Sequence, residues 1–157
     1  MPSLIIPAPT PETVEAAIAS SAFWPSINPA DIREEQRIDN TVTPVRLKAT
    51  LIEAIAATNN ALAGWRTTQQ VLGGHAALAD VPAEQIAEQS ILVHRYRRAV
   101  GCLAKALLLE RYRDFDSTGK GDKKAEGLTD PIDDHRRDHL HALADITGRS
   151  RCTVELI

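Results

Sequence analysis

Apolar positions recur every three or four residues over two long stretches of the chain, and that rhythm predicts helices. The series Leu51, Ile55, Thr58, Leu62, Trp65, Gln69 and Leu72 alternates steps of four and three, the spacing of one helix face packed along another. Thr43 before Pro44 supplies a cap and a first-turn proline, and Gly73-Gly74 a stop, so a helix is predicted over 44–72. A second long helix is predicted over 90–115, with Leu92, Tyr96, Ala99, Leu103 and Leu107 on one face and Val100, Cys102, Ala104, Ala106, Leu108 and Leu109 covering the rest. A helix apolar all round must be buried all round. Burial at the centre of the fold is the first explanation, and a face kept for another subunit the second.

Shorter signals complete the outline. Asn28 with Pro29 starts a helix over 29–39, its opening turns carrying Asp31, Glu34 and Glu35 where the helix dipole favours anions. Asp130 with Pro131 starts another, spaced by Ile132, Arg136, Leu140 and Leu143, that ends at Gly148. Residues 1–22 hold four prolines and read as an irregular arm, with at most a turn of helix over 12–19. Residues 116–128 read as a polar, lysine-bearing loop, and 79–84 as a loop or a single short turn. Residues 152–157 alternate Cys152, Val154 and Leu156 against Thr153 and Glu155, a strand pattern. No other segment reads as a strand, so this tail has no internal partner and is suited to pair with the edge of another chain. The fold class is therefore all-α: about four helices over 23–148, an N-terminal arm over 1–22 and an extended tail over 149–157.

Composition narrows the class without naming a function. The 157 residues fit one domain, and aromatics at 4% predict an aliphatic core. The N-terminus lacks a basic region before its apolar run, which argues against a signal peptide, and no apolar stretch reaches the roughly 20 residues a bilayer span needs. Two cysteines, Cys102 and Cys152, give no disulfide framework and make a reducing compartment the default. Residues 1–90 carry five Lys/Arg against ten Asp/Glu, and residues 91–157 thirteen against eleven. The net charge of −3 does not suit a nucleic-acid binder, but the uneven spread suits a molecule that stacks an acidic face on a basic one.

Candidate chemistry is sparse. His135 and His139 stand four apart with Asp138 and His141 nearby, but the Glu of a zinc-binding HExxH is replaced by Arg136. Thr118-Gly119-Lys120-Gly121 lacks P-loop spacing, and lysines on such a loop suit loose contact with phosphates. Arg95, Arg97 and Arg98 crowd the first turns of a helix, where the dipole disfavours cations, and so call for carboxylate partners in this chain or another. Cys102 lies in the apolar run and reads as a small core residue. No metal, cofactor or catalytic residue is expected.

Taken together in order, several of these segments resemble the head completion protein (GpL) family of temperate contractile-tailed phages. They are Phe23-Trp24-Pro25, Thr41-Val42-Thr43-Pro44-Val45-Arg46-Leu47, Leu78-Ala79-Asp80-Val81-Pro82-Ala83, Glu110-Arg111-Tyr112-Arg113-Asp114, Lys120-Gly121-Asp122-Lys123-Lys124-Ala125 and Arg149-Ser150-Arg151-Cys152. The likeness runs colinearly over 23–157. It implies a virion protein and not an enzyme, assembled in the host cytoplasm and ending at the head–tail junction. Such a protein joins the portal vertex once DNA is packaged, helps retain the genome and offers a surface to the next neck or tail-completion protein. A ring of about a dozen copies needs two different complementary patches on each subunit. On this reading the tail of Cys152, Thr153, Val154, Glu155, Leu156 and Ile157 docks into the portal. Lys120, Lys123 and Lys124 face the DNA channel, and Arg95, Arg97 and Arg98 contact an acidic neighbour in the ring. The competing readings are another neck protein such as a tail terminator, a free DNA-binding module, and a small metal-dependent hydrolase built on His135, Asp138 and His139.

Overall fold

A computed structural model describes residues 15–116 and 122–151, the side chains of 112–130 excepted. Five α-helices carry these residues, in order α1 (Pro29–Glu35), α2 (Pro44–Ala61), α3 (Ala63–Val71), α4 (Ile91–Asp116) and α5 (Asp122–Thr147). The all-α expectation holds. α4 is the central element: it runs along α5 on one flank and α2 on another, while α2 and α5 hardly touch each other.

Local chemistry starts the helices where the sequence places their caps. The Asn28 side chain accepts the Ala30 N–H at 3.1 Å, with Pro29 in the first turn. The Thr43 hydroxyl accepts the Arg46 N–H at 3.4 Å, with Pro44 following. α1 stops four residues short of the predicted end. The Arg37 N–H donates to the Glu34 carbonyl at 3.2 Å and the Ile38 N–H to the Arg33 carbonyl at 2.8 Å, a Schellman closure with Arg37 left-handed at φ 48°. That turn seats Ile38 in the core, at 5% exposure, which a continued helix would not do.

The helix predicted over 44–72 is two. The chain bends at Leu62, with φ −96° and ψ 2°, yet the Arg66 N–H still reaches the Leu62 carbonyl at 2.8 Å. One turn earlier the buried Thr58 hydroxyl donates back to the Ala54 carbonyl at 2.7 Å, an arrangement that bends helices. Beyond the bend α3 has no fully buried residue; Trp65 only leans on the core, and Leu72 is 82% exposed. The helix stop at Gly73-Gly74 is as predicted, with Gly74 at φ 69°.

Three further expectations need correction. A hairpin of β1 (Gln85–Ile86) and β2 (Gln89–Ser90) precedes α4, with Ala87 and Glu88 at positive φ in its two-residue turn. The Asn-Gly that normally announces this turn is absent, which is why the sequence concealed it. The helix predicted from Pro131 begins at Asp122 and carries Pro131 inside it, so Lys123 and Lys124 lie on the first turn of α5 and not in a loop. An internal proline loses a backbone bond at a cost of about 3 kcal/mol, and the long seam with α4 is what offsets it. Residues 15–19 form no helical turn: Ile18 makes an antiparallel bridge to Ile27, with bonds of 2.7 and 2.9 Å. Lys120 and residues 152–157, including the predicted strand, lie outside the described residues.

The core is not purely aliphatic. Trp24 stacks flat on Tyr96 at 4.8 Å between centroids, and Phe23 meets Trp24 edge-on at 4.8 Å and Trp65 at 6.4 Å. Four of the six aromatic rings thus gather where the segment before α1 crosses α4. The Tyr96 hydroxyl donates to Asn59 of α2 at 2.7 Å, and burial pushes its pKa up to about 12 against the pull of hydrogen bonds from Ser20 and Asn59. Aliphatic packing by Ile32, Leu47, Leu51, Leu78 and Val100, all at 0% exposure, continues the core from there. No helix among the described residues is long and apolar enough to cross a membrane.

Candidate functional site

The charged residues at the head of α4 are paired within the chain. Arg97 reaches Asp31 at 2.8 Å and Glu35 at 3.3 Å, both on α1. Arg98 reaches Asp138 of α5 at 3.2 Å, and Arg95 donates to the Asp145 carbonyl at 3.0 Å. Further along the seam Arg136 of α5 meets Glu110 of α4 at 2.6 Å. The carboxylates that the helix dipole calls for therefore come from α1 for Arg97 and from α5 for Arg98, while Arg95 is held by a backbone carbonyl of α5, all within one chain. Arg97 alone of these three arginines joins the basic second half of the sequence to the acidic first half.

The histidine group does not form a metal centre. His139 is buried in the α4–α5 seam, and its Nδ1 lies 2.9 Å from the Ala99 carbonyl, with which it shares a proton as donor. Burial holds its pKa below the usual 6.5, the Ala99 bond pulls it back up, and Arg136 pushes it down again. The ring is thus a neutral strut between two helices. Burial, then Lys105, lowers His135 in the same direction. Among the described residues no group of three or more His, Cys, Asp or Glu side chains could hold a metal ion. Cys102 is buried and unpaired, and burial, then Asp138, raises its thiol pKa, so the thiol stays protonated as a core group.

The α4–α5 pair is antiparallel, with Arg95 against Asp145 and Arg98 against Asp138 toward one end and Glu110 against Arg136 toward the other. The chain ends α4 at Asp116 and starts α5 at Asp122 at one end of this antiparallel pair. It leaves α5 at the other, where Gly148 at φ 68° closes the helix and Arg151 binds Asp145 through Nε–Oδ1 at 2.9 Å. Twenty-six residues of α4 separate the ends, about 39 Å at 1.5 Å per residue. Lys123 and Lys124 start α5 at the first end, and Arg151 is the last described residue at the second.

The outer faces of the flanking helices carry what the sequence reading missed. On α2, Val45 (78% exposed), Ala49, Ile52 (49%) and Ala56 form a second apolar stripe, opposite the buried Leu47, Leu51, Ala54 and Thr58. On α5, Leu140 is 61% exposed. The stripe was visible as steps of four, three and four in a helix with only three charged residues, but the stronger inner rhythm masked it.

The described residues thus make a small all-α unit with ion pairs between its helices and apolar residues left on its outer helix faces. Comparison with known proteins identifies its family. The profile of the phage head completion protein (GPL) family matches residues 18–157. The chain is 41% identical over 155 residues to the head completion/stabilization protein of Escherichia phage P2, covering 99% of this chain and 90% of that protein. The chain belongs to the phage head completion protein family, and is a bacteriophage virion structural protein with a part in assembly. No solved structure matches it.

Proposed function

We propose that the chain completes the head by seating on the portal vertex after packaging, holding the DNA in and presenting the surface on which the next neck or tail-completion protein assembles. The observation that carries this reading is membership of the head completion family over 18–157. A connector must touch one neighbour on each side, and the long α4–α5 pair offers two separate ends for that purpose. The tail of Cys152, Thr153, Val154, Glu155, Leu156 and Ile157 docks into the portal by strand addition. Lys120, Lys123 and Lys124 face the packaged DNA and hold phosphates without reading bases. About a dozen copies form a ring, each subunit offering one patch and receiving another. Arg95, Arg97 and Arg98 serve that ring by fixing α1 and α5 against α4. The protein works at the head–tail junction and is drawn from the host cytoplasm during assembly.

Co-purification of the full chain with portal protein, imaged by electron microscopy, tests this. The expected result is a ring on the portal that is lost when residues 152–157 are deleted; binding retained after that deletion removes the tail from the account. Charge reversal at Lys120, Lys123 and Lys124 is expected to raise DNA loss from filled heads, and unchanged retention would overturn the channel assignment.

A further inference from the structure

We propose that the outer face of α2 docks on the outer face of α5 of a second copy, and that this contact is the one repeated between subunits. The proposal rests on the ring reading above and names the surfaces it uses. Because α2 and α5 both pack on α4 and hardly touch each other, their outer faces belong to different sides of the molecule. A ring contact is heterologous, so it needs two different patches on different sides of one subunit. Pairing of one face with itself would stop at a dimer.

The two faces can be laid in one register. On α2 the stripe is Val45, Ala49, Ile52 and Ala56; on α5 the same steps of four, three and four give the charged Asp133 and Arg137, then the exposed Leu140 and the half-buried Ala144. With the helices side by side and Ile52 against Leu140, Ala56 meets Ala144 and allows close approach of the backbones there. The charges are complementary in that register. Arg46 and Lys48 sit at the start of the α2 stripe and Asp133 at the start of the α5 stripe, and none of the three has an ion-pair partner among the described residues. Lys48 reaches Asp133 within one turn, and Glu53, also unpartnered, lies beside Arg137, whose present bond is to Asp134 at 2.7 Å. One helix pair buries far less than the roughly 1,600 Å² of a stable complex. The contact is therefore weak between free chains and closes when the portal gathers copies at high effective concentration.

Oxidative cross-linking in assembled particles decides the matter. In a Cys152→Ser background, with Cys102 left in the core, Ile52→Cys and Leu140→Cys together are expected to yield a ladder of linked multimers, and either change alone none. A linked dimer from Ile52→Cys alone would show a self-pairing face and overturn the proposal, as would a missing ladder in particles whose ring is visible by electron microscopy. Particles without any ring of this chain would instead fail the reading on which the proposal rests. The charge swap gives an independent measure. Lys48→Glu and Asp133→Lys should each lower the copies per particle several-fold, and the two together should restore them; no restoration would remove the charge pairing and its register.

Discussion

α3 and α4 each carry an apolar rhythm and meet opposite fates. In α4, Tyr96, Ala99, Val100 and Ala104 are all at 0% exposure, because α2 and the segment before α1 cover one side and α5 the other. In α3 nothing is fully buried, and Val71 with Leu72 beyond it stand in solvent. The bend at Leu62 is the physical difference, since it turns the later part of the stripe away from α4. An apolar rhythm predicts that a helix forms, and a second surface opposite it decides whether the helix is held.

The sharpest way to break this contrast is at the aromatic corner. Trp24→Ala removes the ring stacked on Tyr96 and is expected to cost about 3–5 kcal/mol in urea unfolding at unchanged slope. A loss below about 1 kcal/mol would mean that α4 is held elsewhere.

The α4–α5 seam tests the other side of α4. His139→Gln should cost about 1 kcal/mol at neutral pH through the lost strut to Ala99. Its pH signature follows from its lowered pKa. The folded chain keeps the ring neutral while the unfolded chain protonates it near 6.5, so its stabilising share is complete above pH 6.5 and is lost as pH falls through that value toward the lower folded one. His135 shares the direction, so the double change to Gln should flatten the acid side of the stability profile, and an unaltered profile would contradict the neutral-strut assignment.

Smaller effects sharpen the picture. Arg97→Ala leaves Asp31 and Glu35 unpaired, but these groups are partly exposed, so a loss of about 1 kcal/mol or less is expected, shrinking with added salt. Leu72→Ser should change stability by no more than about 0.5 kcal/mol, as its exposure demands. A large cost there would place α3 in the core and erase its difference from α4.

Much of the fold was legible because it rests on local chemistry. Asn28-Pro29 and Thr43-Pro44 start helices in any context that tolerates them, and the family signature lay in the order of short segments. The arginines of α4 announced their need for carboxylates but not their source, since Asp31 and Asp138 are distant in sequence and adjacent only once α1 and α5 pack on α4. The inner face of α2 was legible from the Leu51, Ile55, Thr58 and Leu62 series, while the weaker outer stripe of Val45 and Ile52 was hidden behind it.

Helix-forming rhythm, caps, stops and the membership of a family were properties of the sequence itself, because each depends on neighbours within a few residues or on their order. The burial of Ile38 at the turn that ends α1, the inclusion of Pro131 in α5 and the pairing of Arg97 with Asp31 and Glu35 were decided by tertiary structure. In each case a contact from a distant segment outweighed a local preference of a few kcal/mol.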